Sequence, residues 1–139
     1  MSSNVIEMVI PRDDIDPVDI TRAIHTADAI LSQIEQGALW TLGAEPKRIT
    51  IDDDDRPVLA FSCRILPFKA DGTRATRAVE MTLTITLDWT DEYILEVFYK
   101  RDGEKVEHFK RDRVTCFDLS RLFLALDFDG DTALNPRYA

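Results

Sequence analysis

Residues 79–100 constrain this chain more than any other segment. Val79, Met81, Leu83, Ile85 and Leu87 alternate with Glu80, Thr82, Thr84, Thr86 and Asp88. Successive side chains of a strand point to opposite faces, so this pattern describes a strand with one face in a core. After Trp89-Thr90-Asp91-Glu92, Tyr93, Leu95, Val97 and Tyr99 repeat the alternation. The two segments must pair so that their apolar sets share a face. That predicts an antiparallel register with Leu87 opposite Tyr93, Ile85 opposite Leu95, Leu83 opposite Val97 and Met81 opposite Tyr99. The same register sets Glu80 against Lys100, a favourable charge pair. A slip of one residue would set Ile85 against Glu96, so the register is strongly specified.

The rest of the chain organises around this pair. Residues 5–10 suit a short strand closed by Pro11. Asp16-Pro17 is a helix start: Asp caps free N–H groups, and Pro fits the first helical position. Ile20, Ala23, Ile24, Ala27, Ile30, Leu31 and Ile34 then form one apolar stripe. Gly37 supplies a left-handed stop, predicting a helix over 17–36. Residues 38–42 fit a further helical turn or a strand. Strands follow over 48–51 and 58–66, the latter with Leu59, Phe61, Cys63 and Ile65 on one face. Residues 69–77 form a polar loop. Asp102-Gly103 predicts a type I′ hairpin into a strand over 104–113. Its buried face is open between Val106 with His108 and Glu107 with Phe109. Thr115 caps a second helix with Phe117, Leu119, Leu122, Phe123 and Leu126 as its apolar stripe.

The expected fold is α+β: a long N-terminal helix packed on a five-stranded antiparallel meander, with a short C-terminal helix. A length of 139 residues suits one domain over 1–139. Residues 1–15 would be an N-terminal arm, with a short strand in it, and 128–139 an irregular tail. With no strand–helix–strand unit, a Rossmann-like sheet is excluded. Ile94 and Phe98 lie on the second sheet face, which the C-terminal helix is expected to cover; left bare, they would mark an interface.

Charge excludes one large class of function. Acids outnumber bases 26 to 17, a formal charge of −9. A direct nucleic-acid binder needs a basic footprint, so none is expected. The imbalance is uneven: residues 1–66 carry 12 acids against 6 bases, and residues 67–113 carry 10 against 9. The molecule is therefore expected to be bipolar. Residues 1–4 have no basic leader pattern, and no apolar run approaches the ~18 residues of a membrane span. A cytoplasmic protein without membrane contact is expected. Cys63 and Cys116 stand alone, without metal-ligand spacing, and suit reduced thiols, although a bridge between them is not decided by the sequence.

Chemistry-bearing motifs are sparse. The run Asp127-Phe128-Asp129-Gly130-Asp131-Thr132 is similar to the nucleophile motif of haloacid-dehalogenase-like phosphatases. That motif needs a strand before it, whereas a helix precedes this run and Asp131 interrupts it. The run is also similar to an EF-hand calcium loop, but Thr132 takes the glycine position and Tyr138 the glutamate position. Asp52, Asp53, Asp54 and Asp55 fill one tight turn whose side chains diverge, so they suit a solvated turn or a contact for a basic partner better than a metal. His25 lies on the polar side of the first helix. His108 has no evident nucleophile beside it, and the five glycines are isolated. No catalytic residue, cofactor or metal ligand is assigned, which favours a non-enzymatic protein without deciding it.

Three functional expectations follow. The first is an acidic protein-binding module that uses Asp52–55 and the acids of 13–19 against a basic surface of another protein. Small acidic inhibitors such as bacterial immunity proteins or phage anti-defence proteins occlude nucleic-acid-binding surfaces in this way. The second is a small-molecule cup between helix and sheet, enzymatic or not, lined by Trp40, Trp89, Tyr93 and Tyr99. The third is a component that self-associates through strand edges or the Ile94 and Phe98 patch, giving a homodimer or a larger assembly.

Overall fold

The computed structural model describes residues 6–129 and 132–133. Its elements are β1 (Glu7–Met8), α1 (Pro17–Gln33), α2 (Gln36–Thr41), β2 (Glu45–Ile51), β3 (Pro57–Ile65), β4 (Val79–Leu87), β5 (Tyr93–Arg101), β6 (Glu104–Val114), α3 (Leu119–Asp127), β7 (Phe128–Asp129) and β8 (Thr132–Ala133). Strands β1 to β6 form one sheet in chain order, while β7 and β8 pair with each other. The fold is α+β with a mostly antiparallel sheet, but the sheet has six strands, not five.

The sixth strand is β1. It runs parallel to β2, with Glu7 opposite Arg48 and Met8 opposite Ile49. The chain therefore does contain one strand–helix–strand crossover, at the edge of the sheet. Two residues are too few for an alternating pattern to announce it. At the other end of the chain, the expected irregular tail holds the β7–β8 ladder; its remaining residues, and part of the 127–132 motif, lie outside the described residues.

The single N-terminal helix expected over 17–36 is also corrected. Asp16 caps α1 as expected, accepting a 2.9 Å hydrogen bond from the Val18 amide. The helix ends at Gln33, after 17 residues, because Ile34 and Glu35 turn extended. The break lets Ile34, Ala38 and Leu42 all reach the core. Gly37 sits inside α2 rather than ending a helix. The left-handed stop is Gly43, at φ 57°, whose amide donates to Trp40 O at 3.0 Å. Ile24, counted in the apolar stripe, lies at the surface.

The meander register agrees with the sequence pattern over most of its length. Leu87 faces Tyr93, Ile85 faces Leu95, and Leu83 faces Val97. The β4–β5 ladder closes at Thr82 with Phe98, so Glu80 does not pair with Lys100; it stands opposite Arg64 of β3 and accepts a hydrogen bond from Ser62 Oγ at 3.2 Å. Rows such as Pro46, Phe61, Leu83, Val97 and Phe109 cross the sheet on the core face.

Strand β6 resolves its ambiguous pattern with irregularity. The register shifts between Val97 and Phe98, where His108 is the extra residue. Val106 opposite Tyr99 and Phe109 opposite Val97 then both reach the core face, which strict alternation would forbid. A second shift falls between Tyr93 and Leu95, where Arg113 takes φ 54°.

All the helices bury their apolar sides in one core. Ala23, Ala27 and Ile30 of α1 and Leu119, Leu122, Phe123 and Leu126 of α3 join the inward residues of β2 to β5. Phe123 meets Phe61 edge to face, with ring centroids 5.6 Å apart. Thus α3 packs on the same sheet face as α1 and does not cover the second face. Thr50, Val58, Thr82, Thr84, Thr86, Ile94 and Phe98 make up that second face, with no helix over it among the described residues. Among those residues, no helix is long and apolar enough to cross a membrane.

Candidate functional site

The strands deliver their turns to two ends of the sheet, and the two ends differ in charge. One end carries the β2–β3 turn, the β4–β5 turn and residues 11–16. Both turns are built alike. Asp52 N donates to Arg56 O at 3.0 Å and Asp55 N to Asp52 O at 3.1 Å; Asp88 N donates to Glu92 O at 2.8 Å and Asp91 N to Asp88 O at 3.0 Å. Asp55 and Asp91 hold the equivalent left-handed position, at φ 61° and 64°. Aspartate tolerates that backbone better than most side chains, which explains its recurrence here.

Arg56 ties the twin turns together. Its Nε donates to Asp52 at 2.8 Å and its Nη1 to Asp88 at 2.9 Å, with Asp54 3.4 Å from Nη2. The Arg56 hydrogen bond is the main reason the Asp88 carboxyl is held below its usual range. Arg12 reaches the same turn: it donates to Asp52 O at 3.1 Å and pairs with Asp55, with Asp53 at 3.7 Å and Asp14 at 3.6 Å. The two acidic runs of the sequence, around 13–19 and at 52–55, thus meet at one end with Asp88. Two guanidiniums partly neutralise them, while the Asp53 and Asp54 carboxylates still face solvent. No group of three His, Cys, Asp or Glu side chains among the described residues could hold a metal ion.

Ile94 and Phe98, the other contact residues expected from the sequence, lie on the uncovered face and not at the acidic end. Each is half-buried by its neighbours. Lys105 Nζ stands 4.3 Å from the Phe98 ring centroid and pairs with Glu96 at 2.7 Å. The four aromatics expected to line a cup do not converge: Tyr93 and Tyr99 are buried, and Trp40 and Trp89 are exposed. The Tyr93 hydroxyl donates to Gln33 at 2.8 Å, and Arg22 covers the Trp89 ring. His25 is exposed on α1. Cys63 and Cys116 are both free thiols.

The opposite end of the sheet brings together residues that the sequence left unconnected. The expected loop is a small hairpin. Asp71 accepts from the Thr73 amide at 3.0 Å and its hydroxyl at 2.6 Å, Gly72 takes φ 87°, and Lys69 N donates to Thr73 O at 2.7 Å. These bonds set Phe68 opposite Arg74. The Arg74 guanidinium lies 4.2 Å from the Phe68 ring centroid, and its Nη1 donates to Leu66 O at 2.7 Å. His108, the bulged residue of β6, stacks on Phe68 at 5.0 Å, and its Nε2 is 3.3 Å from Arg74 Nη1. Arginine cannot accept a hydrogen bond, so Nε2 accepts and the ring is neutral, with its proton on Nδ1. Burial, and secondarily the Arg74 charge, lower its pKa to about 4. These short separations place Arg74 and His108 over one face of Phe68, which is itself 46% exposed.

His108 drew notice in the sequence as a strand histidine, and Arg74 lies in the polar loop expected over 69–77. Only the bulge and the folded loop join them. Compared with known proteins, the chain matches no family model, no curated protein and no solved structure.

Proposed function

We propose that this chain is a non-enzymatic binding module that docks its acidic end onto a basic surface of another protein. The observation that supports this reading is the convergence of Asp14, Asp52, Asp53, Asp54, Asp55 and Asp88 around two guanidiniums, Arg12 and Arg56, among the described residues. The twin turns and their arginines hold Asp52, Asp55 and Asp88 in place before any partner arrives, which lowers the ordering cost of association. A partner whose basic surface ordinarily holds nucleic acid would be occluded, which is the inhibitor form of the same reading.

The test is kinetic. Partners captured from the native host are measured by surface plasmon resonance at two salt concentrations, with wild type and with Asp53→Asn, Asp54→Asn and Asp55→Asn combined. Exposed charges act mainly through encounter rate, screened over ~8 Å at physiological salt. The variant should associate more slowly and with a flatter salt dependence. An unchanged association rate and salt slope would rule out acidic-end docking.

The sheet face that no described helix covers supports a second reading, an apolar contact through Ile94 and Phe98 to a partner or a second copy. Its signature is the reverse: Phe98→Ala should raise the dissociation rate and leave the salt slope alone.

A further inference from the structure

We propose that Trp89 sets which basic group the acidic end accepts: it takes an arginine of the partner protein against its indole. This inference rests on the acidic-end docking reading and adds the side chain that this end selects. The twin turns present different chemistry at their tips. Counting from Asp52 and from Asp88, Asp53 and Trp89 hold the same position. Both turns lie within reach of the Arg56 guanidinium, so they stand side by side. One turn therefore offers a carboxylate where its twin offers an indole.

The fold does not need an aromatic there. The β2–β3 turn closes with the same backbone bonds around an aspartate, and the bonds of the β4–β5 turn come from Asp88, Thr90, Asp91 and Glu92. Trp89 is nevertheless 58% exposed. Val18, 71% exposed, lies one helical turn from Arg22, whose guanidinium sits 4.7 Å from the Trp89 ring centroid. Together with the aliphatic stem of Arg22, these two side chains make an apolar patch at the rim of the acidic turns. Tryptophan is over-represented among the residues that dominate interfaces, because an indole buries a large, rigid surface.

Charge complementarity identifies the occupant. Asp88 precedes the ring and Asp91 and Glu92 follow it, so a cation approaching the indole is favoured. The carboxylates alone would accept lysine and arginine alike. The ring separates them: a flat, weakly hydrated guanidinium stacks on an indole and donates from its edge to carboxylates, whereas an ammonium is compact and strongly hydrated. Arg22 shows that this ring accepts a guanidinium, and Trp89 keeps its exposure with Arg22 in place. A second arginine on the far side of the ring would stand about a Debye length, ~8 Å, from Arg22, so their repulsion is largely screened. The two hairpins are two strand spacings apart, about 10 Å. Basic residues three apart on an extended segment therefore reach Asp53 and Trp89 together.

The test uses two capped peptides, four Arg-Gly-Gly repeats and four Lys-Gly-Gly repeats, titrated into the full chain at low salt and followed by two-dimensional amide NMR. Shifts centred on residues 52–56 and 88–92 are expected, with the arginine peptide binding about three- to fivefold tighter, the size of a cation–π contact at an exposed site. Trp89→Ala should remove that preference and leave the Kd of the lysine peptide within about twofold. Trp89→Leu, apolar but without a ring, should do the same and serves if Trp89→Ala fails to fold. Asp53→Asn, Asp54→Asn and Asp55→Asn combined should weaken both peptides alike. The arginine proposal is overturned, with acidic-end docking intact, if the two peptides bind equally, if the preference survives loss of the ring, or if Trp89→Ala weakens both peptides alike. If neither peptide saturates by about 10 mM, if the shifts centre elsewhere, or if the triple Asn variant binds like wild type, the docking reading fails and this inference falls with it.

Discussion

Leu83→Ala paired with Thr86→Ala tests which sheet face is covered. Leu83 is 0% exposed, and its cross-strand neighbours Phe61 and Val97 are 1% and 0% exposed. Removing buried carbons loses their transfer free energy and leaves a cavity, costing about 2–5 kcal/mol for a leucine. Strands on both sides fix the surroundings, so they cannot collapse easily, and the upper half of that range, about 3–4 kcal/mol, is expected. Thr86 faces Val58 and Ile94 on the bare side, where only a cross-strand contact is lost, about 0.2–1 kcal/mol. Urea unfolding measures both, and with a slope of about 1.5–2 kcal/mol per molar the Leu83 variant should lose about 2 M of midpoint. Equal losses from the two variants would refute the face assignment, because Thr86 would then be as enclosed as Leu83.

Two further outcomes follow from titratable groups. His108 is held at about 4, below its unfolded value of 6.5, so the fold favours the neutral ring. That stabilisation is complete above pH ~6.5 and is lost as pH falls toward ~4; with the ring half exposed it is worth about 1–2 kcal/mol. His108→Gln should therefore flatten the loss of stability over that window, and identical pH profiles for variant and wild type would contradict the half-buried neutral ring. Burial, with a smaller effect from Glu80, pushes the Cys63 thiol up to about 12, so a thiol reagent should label only the part-exposed Cys116 in the native chain and both cysteines after unfolding. Rapid native labelling of two thiols would show that Cys63 is open to solvent.

The elements most legible in the sequence are those with an unbroken period. The alternation of 79–87 against 93–100 sets the register from Thr82 with Phe98 to Leu87 with Tyr93, because a slip would place Glu96 in the core. The Asp16 cap was equally legible, since one side chain satisfies one orphan amide. What stayed hidden depends on contacts distant in sequence. The end of α1 is set by where Ile34, Ala38 and Leu42 must go, so Gly37 misleads. The bulge at His108 breaks the period on which a face assignment relies. Coverage of the second sheet face depends on the direction in which α3 returns, which its own amphipathic stripe does not encode. The acidic turn was visible as composition, but its pairing with Arg12 and Arg56 and its twin at 88–92 were not. The Phe68, Arg74 and His108 arrangement needs both the loop and the bulge, and neither leaves a motif.

The N-terminal strand has a kinetic consequence. Each β-hairpin of the meander closes locally, whereas β1 joins the sheet only across the whole of α1 and α2. Its hold on β2 is slight: two paired residues, the Val9 amide on Ile49 O at 2.8 Å, and Thr50 Oγ1 donating to Val9 O at 3.0 Å. Segments tied by so few bonds open far more often than a core strand, and the Val9 amide should exchange with solvent well before those of β4. Arg12 lies just beyond this strand and leaves the acidic turn when the arm opens. Each opening thus carries Arg12 away together with Asp13 and Asp14, so the Asp52–Asp55 turn loses a guanidinium and two neighbouring carboxylates at constant pH, on the timescale of a strand coming loose.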